Sequence, residues 1–290
     1  MALNFSVFKV RALSAIVFAV IMIGGLVWNN WSFFFLFTTI AVGCLVEYQK
    51  LLALIYPSYK NISLIHKWGL PILGFVIMMT LASNTLGIKD ISIKFVGSRT
   101  VPFILGVMLL SDIFSKKFKL SNWAISFFGL VYIPMSLSLF FQLRAFMVNT
   151  FFMDWSFSIP LLVIASIWVN DTMAYIVGSV IGKTPLSSVS PNKTWEGTIA
   201  GVILAVLIVT KICGIWIPIQ EKFIFLISLV AAIAGNFGDL FESSLKRQAG
   251  VKDSGKMMPG HGGFLDRFDS ILLATPFVWL LLQILFSPGN

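Results

Sequence analysis

Charged side chains are scarce in this sequence. Of its 290 residues, 11% are Asp, Glu, Lys or Arg, whereas 58% are hydrophobic and the mean hydropathy is +0.92. A soluble domain carries about 25% charged residues, because its surface must be solvated. The shortage therefore excludes an ordinary soluble domain and indicates a protein whose outer surface faces lipid.

Cysteine patterns and a P-loop are also lacking. Cys44 and Cys213 lie in or at the end of apolar segments and form no CxxC pair, so we expect neither a disulfide nor a zinc site. The sequence Gly178-x-x-x-Gly182-Lys183-Thr184 is one residue too short for a P-loop and ends an apolar run. A P-loop nucleotide site is therefore excluded.

Long apolar runs predict an all-α, polytopic integral membrane bundle of about nine transmembrane helices, with the N-terminus in the cytoplasm. Several runs are shorter than the ~20 residues that an upright helix needs to cross the hydrocarbon. The runs are Ala12–Trp28, Trp31–Val46, Leu70–Leu86, Val101–Phe114, Trp123–Leu143, Phe157–Ile181, Thr198–Trp216, Phe223–Phe237 and Ser270–Phe286. Because no repeat or soluble linker separates them, we predict a single membrane domain over 1–290, with N-terminal spans in 12–143 and catalytic C-terminal spans in 157–286.

Lysine and arginine set the predicted orientation. The net charge is +9, and Lys and Arg of membrane proteins collect in cytoplasmic loops. With the N-terminus inside, fifteen of the 21 Lys and Arg fall in cytoplasmic segments and six in outer segments or nearby span ends. Orientation thus accounts for the basic balance, and no nucleic acid partner is expected.

Acidic residues gather towards the C-terminus. Eight of the twelve Asp and Glu lie at or after position 171, and ionisable groups at a membrane indicate function by default because they are costly there. In the stretch Asp239–Asp269, here called the acidic stretch, Asp239 and Glu242 are three residues apart and share a helix face. Gly250 is expected to end that helix. The carboxylates and cations and the glycine-rich segment Ser254–Gly263 together offer oxygen ligands for Mg²⁺ and amide groups for phosphate.

A second polar group lies between the sixth and seventh predicted spans. Asp171, Tyr175, Gly178 and Gly182 recur at helical spacing and line one face, and Asp171 needs a partner or water because it lies well inside an apolar run. The loop Lys183–Gly197 that follows carries two lysines and several hydroxyl groups. It lies on the same predicted side of the membrane as the acidic stretch, so we predict that the two segments form one site.

One of the two histidines, His66, lies outside the acidic stretch. His66 stands beside Lys67 in a predicted loop, and we expect its side chain to be solvated.

Two segments carry longer motifs. The first is Ser190-Pro191-Asn192-Lys193-Thr194-Trp195-Glu196-Gly197. The second comprises Ser243-x-Leu245-Lys246-Arg247, Lys252-Asp253-x-Gly255 and Pro259-x-His261-Gly262-Gly263-Phe264-x-Asp266-Arg267-Phe268-Asp269. Together they resemble the shared motifs of the phosphatidate cytidylyltransferases, the CDP-diacylglycerol synthases. One departure is Met258, where the family usually has Leu, Ile or Phe. The motifs cover the C-terminal third, and the N-terminal half resembles the family only in being hydrophobic.

The resemblance implies that CTP and phosphatidate react to give CDP-diacylglycerol and pyrophosphate. It implies Mg²⁺ as the cofactor, alone or with a second cation, and a homodimer surrounded by membrane lipid. A bacterial-type inner (plasma) membrane is the expected location, with the active site facing the cytoplasm.

The resemblance also assigns residues. Asp239 and Asp266 are predicted to be catalytic metal ligands, and Asp171 is predicted to assist the metal or the nucleotide. Lys246 and Arg247 are predicted to contact phosphate during catalysis. The residues predicted to hold the nucleotide are Ser190, Asn192, Lys193, Lys252, His261, Gly262, Gly263 and Arg267.

Other readings of the sequence remain open. A transporter would predict internal pseudo-repeats and interrupted helices near the midplane, and the sequence has no such repeat. Another CTP-dependent lipid enzyme, either an isoprenoid-lipid cytidylyltransferase or a polyprenol kinase, is an alternative closer to the proposed family than a transporter is. The motif arrangement disfavours the kinase, whereas the sequence does not distinguish acyl from isoprenoid lipids.

Overall fold

The computed structural model describes residues 5–82, 86–88, 91–146, 155–257 and 262–286, of which 5–13, 15 and 145 by their backbone alone. Over these residues the fold is helical, with two short antiparallel hairpins. The helices are α1 (Phe5–Val27), α2 (Asn30–Ile55), α3 (Leu64–Leu81), α4 (Ile93–Phe114), α5 (Leu120–Leu130), α6 (Ser136–Ala145), α7 (Ser158–Ile181), α8 (Trp195–Trp216), α9 (Glu221–Gln248) and α10 (Leu265–Leu285). The strands are β1 (Gly87–Ile88), β2 (Ile91–Ser92), β3 (Pro185–Ser187) and β4 (Ser190–Thr194).

Eight helical segments within the described residues are long and apolar enough to cross a membrane, and Ile16–Val27 adds a shorter apolar helix. One of the eight, Leu120–Arg144, comprises α5, a π-helical turn at Val131–Met135 and α6. The turn contains Pro134, whose missing N–H and bulky ring interrupt regular α-helical bonding. The protein is therefore an integral membrane protein, and the predicted all-α polytopic bundle is confirmed.

Several helices extend beyond the apolar runs that predicted them. The run ending at Val46 lies in α2, which continues to Ile55, and the run ending at Phe237 lies in α9, which continues to Gln248. Backbone hydrogen bonding does not end where hydropathy falls, because polar side chains can continue a helix. Gly250 follows α9 with a φ of 70°, the left-handed conformation that commonly ends a helix, as predicted.

The chain divides into two compact units. The first comprises Met1–Ser138 and Gln248–Phe268, and the second comprises Leu139–Arg247 and Asp269–Asn290. That residues 1–290 form a single membrane domain stays a prediction.

The first unit buries a polar network centred on His66. His66 Nδ1 lies 2.6 Å from Asp112 Oδ2, and its Nε2 lies 2.9 Å from Ser126 Oγ. Trp123 Nε1 donates to the same Asp112 oxygen over 2.9 Å, and Tyr59 Oη lies 2.8 Å from Ser126 Oγ. The expectation that His66 is solvated was wrong, because its side chain is 0% exposed. The prediction failed because Asp112, the partner of His66, lies on another helix and is not revealed by the sequence around His66.

In the second unit, α7 and α8 pack closely through small residues. Gly197 and Gly201 are four apart on α8, and a methyl group on either would meet α7. At Gly201 it would lie 2.7 Å from Ala174 Cβ and 2.8 Å from the Asn170 carbonyl oxygen. Small residues at this spacing let membrane helices approach closely. This packing sets the start of α8, and the hairpin before it, beside the polar face of α7.

Candidate active site

Three carboxylates of the second unit converge. One oxygen from each of Asp239, Glu242 and Asp269 lies within 4.8 Å of the others; we call this group the acidic cluster. Asp239 and Glu242 lie on one face of α9, as their spacing predicted. Asp269 lies on α10, which comes close to α9 because Gly238 has no side chain: a methyl group there would meet the backbone of Asp269 and Ser270.

The acidic cluster is largely withdrawn from solvent within the chain. Glu242 is 0% exposed and Asp269 6%, whereas the side chain of Asp239 is 24% exposed. Like charges this close repel strongly when little water screens them. Carboxylate oxygens are also the ligands that Mg²⁺ prefers. The donor set therefore suits a divalent cation, and Asp239 provides its more accessible edge.

Two lysines supply positive charge to the acidic cluster. Lys193, on β4, forms an ion pair with Asp239. Lys246 Nζ lies 2.5 Å from Glu242 Oε2, one helical turn away on α9. Burial lowers the pKa of Lys193, while the negative charges of Asp171 and Asp269 act in the opposite direction.

Asp171 is placed by a pair of asparagines. Asn170 Nδ2 donates to Asp171 Oδ1 over 3.2 Å. Asn170 and Asn236 exchange two amide hydrogen bonds of 3.1 and 3.3 Å, which join α7 to α9. Asp171 also acts electrostatically on Lys193 of β4, so this part of α7 lies beside the hairpin.

The hairpin β3–β4, which carries Ser190, Asn192 and Lys193, is fastened at both ends. Its strands pair Pro185 with Thr194 and Ser187 with Ser190. At its base, Glu196 accepts hydrogen bonds from the backbone N–H groups of Lys183 and Thr184, each at 3.2 Å, and from the Thr184 hydroxyl at 2.8 Å. At its tip, Arg247 Nε donates to the Val189 carbonyl over 3.3 Å. Arg247, a predicted phosphate contact, thus also holds the hairpin.

The remaining predicted residues lie in the first unit. Asp266 Oδ2 accepts hydrogen bonds from the backbone N–H groups of Ser254 (2.9 Å) and Gly263 (2.7 Å), and Ser254 Oγ lies 2.9 Å from the same oxygen. Gly262 has a φ of 80°, which favours glycine. Lys252 and Arg267 are exposed, as a nucleotide-binding role would require. His261 lies outside the described residues.

The sequence-based assignment named Asp239 but not Glu242 or Asp269 as ligands. Glu242 carried a local signal, its spacing from Asp239. Asp269 carried a weaker one, since its position at the start of α10 does not reveal the approach to α9. The roles of Asp266 and Asp171 as metal ligands stay predictions.

Comparison with known proteins identifies the family of the chain. Residues 9–285 match the model of the cytidylyltransferase family. The phosphatidate cytidylyltransferase of Bacillus subtilis is 47% identical over 123 residues, which cover 42% of this chain and 45% of that protein. The phosphatidate cytidylyltransferase of Helicobacter pylori is 44% identical over 133 residues, covering 42% of this chain and 48% of that protein.

A longer match is to the phosphatidate cytidylyltransferase of Rickettsia bellii, 32% identical over 189 residues that cover 62% of this chain and 79% of that protein. The chain thus spans less than half the length of the Bacillus and Helicobacter relatives and about four fifths of the Rickettsia one. Because the family match extends over nearly the whole chain, this protein is a member of the cytidylyltransferase family.

Proposed function

We propose that this protein transfers the cytidylyl group of CTP to phosphatidate, which gives CDP-diacylglycerol and pyrophosphate. The acidic cluster beside Lys193 and Lys246 is the observation that carries the proposal. Both substrates are polyanions, so a site that joins them must offset the repulsion between their phosphates. The relatives matched above are named as phosphatidate cytidylyltransferases.

In the proposed reaction, an oxygen of the phosphatidate phosphate attacks the α-phosphorus of CTP. The bond from that phosphorus to the bridging oxygen breaks, and pyrophosphate leaves with the electron pair. A phosphate monoester is already a competent nucleophile at neutral pH, so no general base is needed. Lys193 and Lys246 stabilise the phosphate charges, and the hairpin holds Lys193 in place.

We propose Mg²⁺, alone or with a second cation, as the cofactor. Asp239, Glu242 and Asp269 would hold it, since their oxygens converge and are partly buried. A bound cation would supply Lewis-acid stabilisation of the charge on the transferring phosphorus. The resemblance adds Asp266 and Asp171 to the candidate ligands.

We further propose a homodimer in a bacterial-type inner membrane, with the active site facing the cytoplasm, where CTP is found. The excess of Lys and Arg on that predicted side supports the orientation. The lipid tails would remain in the bilayer while the head group meets CTP at its surface. Light scattering of the detergent-solubilised protein, corrected for bound detergent, tests the dimer.

The decisive experiment follows the label of CTP into lipid. Purified protein receives phosphatidate, Mg²⁺ and CTP labelled at either the α- or the γ-phosphate. Cytidylyl transfer puts the α-label into lipid and releases the γ-label as pyrophosphate, whereas a polyprenol kinase would put the γ-label into its lipid. Parallel assays with an isoprenoid phospholipid acceptor test the closer alternative. Absence of α-labelled CDP-diacylglycerol from folded protein would refute the proposal.

A further inference from the structure

Helix α2 carries a buried carboxylate that lies outside both motifs. Glu47 is 5% exposed and lies within the candidate span Asn30–Ile55. A carboxylate at this position costs free energy unless hydrogen bonds or cations satisfy it. Ionisable groups in such spans are uncommon and indicate function by default.

The partners of Glu47 come from the C-terminal motif. Its Oε2 accepts a hydrogen bond from Ser254 Oγ over 2.7 Å and another from the Leu265 backbone N–H over 2.9 Å. These residues follow Glu47 by 207 and 218 positions. Hydrogen bonds to a charged acceptor are about twice as strong as neutral ones. One side chain of α2 thereby fixes both described ends of the segment from Ser254 to Leu265, here called the motif loop.

Two glycines of the motif loop face the same carboxylate. A methyl group added at Gly255 or at Gly263 would overlap Glu47, and the three atoms nearest to each added methyl all belong to Glu47. Neither glycine has a positive φ; in the described part of the loop that conformation is found at Gly262. Close approach to Glu47 is therefore the physical reason why a side chain is excluded at these two positions.

The contacts of Glu47 continue to Asp266. Ser254, which donates to Glu47, also lies within hydrogen-bonding distance of Asp266 Oδ2 through both its hydroxyl and its backbone N–H, each at 2.9 Å. Gly263 N–H donates to the same Asp266 oxygen over 2.7 Å. The position of Asp266 at the start of α10 is thus set by loop residues that Glu47 holds.

We propose that Glu47 is a positioning residue, which holds the motif loop and through it Asp266, a predicted metal ligand of the cytidylyl transfer. The inference rests on the proposed cytidylyl transfer and extends it by assigning a role to a residue of the N-terminal half. Removal of the carboxylate leaves the Leu265 N–H without its acceptor and the Ser254 hydroxyl with Asp266 as its remaining acceptor. The loop residues that support Asp266 then lose their attachment to α2.

Kinetics of substituted proteins separate positioning from general stability. Glu47→Ala is expected to lower kcat by about 10- to 100-fold, the range for groups that orient metal ligands, and to raise the Mg²⁺ concentration needed for half-maximal activity. Glu47→Gln keeps an oxygen acceptor, so its kcat is expected to lie between those of wild type and Glu47→Ala. Leu45→Ala is the matched control, because Leu45 is buried on the same helix against Gly74. It should lower the Tm while leaving kcat and the Mg²⁺ dependence unchanged.

A wild-type kcat and Mg²⁺ dependence in Glu47→Ala would overturn the proposal. Equal losses of kcat in Glu47→Ala and Leu45→Ala at equal loss of Tm would overturn it as well, because they would show a merely structural role.

A double-mutant cycle on thermal unfolding in detergent tests the contact without any substrate. Gly263→Ala alone should lower the Tm, since its methyl group meets Glu47. In the Glu47→Ala background the same change should have little effect, because the carboxylate is gone; neighbours in contact are non-additive in this way. Additive losses would overturn the assigned contact. The cycle remains informative if wild-type protein makes no CDP-diacylglycerol, so failure of the proposed function and failure of this inference are distinguishable.

Discussion

At the scale of single residues, charge balance dominates the candidate site. Asp239, Glu242 and Asp269 bring three carboxylates within 4.8 Å, and two unit charges 4 Å apart interact by ~4 kcal/mol at an effective dielectric of 20. Lys193 and Lys246 offset part of that repulsion. A carboxylate-to-amide change keeps the shape of a ligand and removes its charge, so it tests whether charge is what the site requires.

Asp239→Asn and Asp269→Asn are each expected to reduce turnover by ~10³-fold or more, which corresponds to ~4 kcal/mol of lost transition-state stabilisation. The physical reason is the loss of a charged oxygen ligand. The measurement is the rate of CDP-diacylglycerol formation by protein whose fold is verified by its Tm. Glu221→Gln provides the control, because Glu221 lies at the other end of α9 and is exposed; it should keep wild-type turnover. Near-wild-type activity in either cluster variant would contradict the metal assignment.

Asp266→Asn separates two roles of one side chain. An asparagine oxygen can still accept hydrogen bonds from Ser254 and Gly263, so the loop should remain folded, whereas the negative charge is lost. We expect turnover to be abolished while the Tm stays within a few degrees of wild type. If Asp266 only held the loop, the variant would retain most of its activity in the same assay.

The residues that the sequence identified differ from those that it missed in how local their signal is. Asp239, Lys193 and Lys246 belong to motifs or to segments rich in polar residues, so the sequence alone identified them as site candidates. Glu47 lies outside both motifs in a mostly apolar helix, and its partners are more than 200 positions away. His66 was misjudged for the same reason. Long-range pairing has no local sequence pattern, and only the folded arrangement reveals it.

At the scale of elements, the hairpin β3–β4 is a short structure made rigid by its ends. Two strands of three and five residues are marginal by themselves. Glu196, at the start of α8, compensates by accepting hydrogen bonds from the residues that follow α7. The hairpin thereby holds Lys193 at a defined place beside Asp239.

Glu196→Ala is expected to loosen the hairpin, because Lys183 N–H, Thr184 N–H and the Thr184 hydroxyl lose their acceptor. The KM for CTP should rise, and trypsin should cleave after the exposed Lys183 several-fold faster than in wild type. Limited proteolysis followed by mass spectrometry measures the second effect directly. Thr172→Val, an exposed change on α7, should alter neither quantity; unchanged cleavage in Glu196→Ala would show that Glu196 does not hold the hairpin.

The packing of α7 on α8 allows another test. Gly201→Ala places a methyl group 2.7 Å from Ala174 Cβ and 2.8 Å from the Asn170 carbonyl oxygen. The helices must move apart, and we expect a loss of ~1–3 kcal/mol, the usual cost of overpacking. Gly214→Ala lies on the same helix with its nearest neighbour at 3.5 Å, and it should stabilise slightly, because alanine favours helix over glycine. Thermal unfolding of both variants in detergent measures the two changes in Tm, which should have opposite signs.

At the scale of the whole molecule, the bilayer replaces much of the solvent. Large apolar side chains such as Phe103, Tyr175 and Val180 are at least 70% exposed in the chain, which a lipid environment accommodates and water does not. Hydropathy therefore predicted that the spans exist. It did not predict their ends, because α2 and α9 continue past polar residues beyond their apolar runs. Those extensions hold Glu47, Asp239 and Glu242, so the sequence-based spans were least accurate at the functional positions.

Membrane sidedness can be tested on a single helix, α8. Helix α8 has 22 residues and is ~33 Å long at 1.5 Å per residue, sufficient to cross the hydrocarbon. Ser188, in the hairpin before α8, and Lys222, after it, are both exposed. Ser188→Cys and Lys222→Cys are made in protein lacking Cys44 and Cys213. An impermeant maleimide should label the cysteine at 222 in intact spheroplasts and the one at 188 only in inside-out vesicles. That result would put the hairpin on the cytoplasmic side with CTP; the reverse pattern would invert the orientation deduced from the lysines and arginines, and labelling of both from one side would show that α8 does not cross.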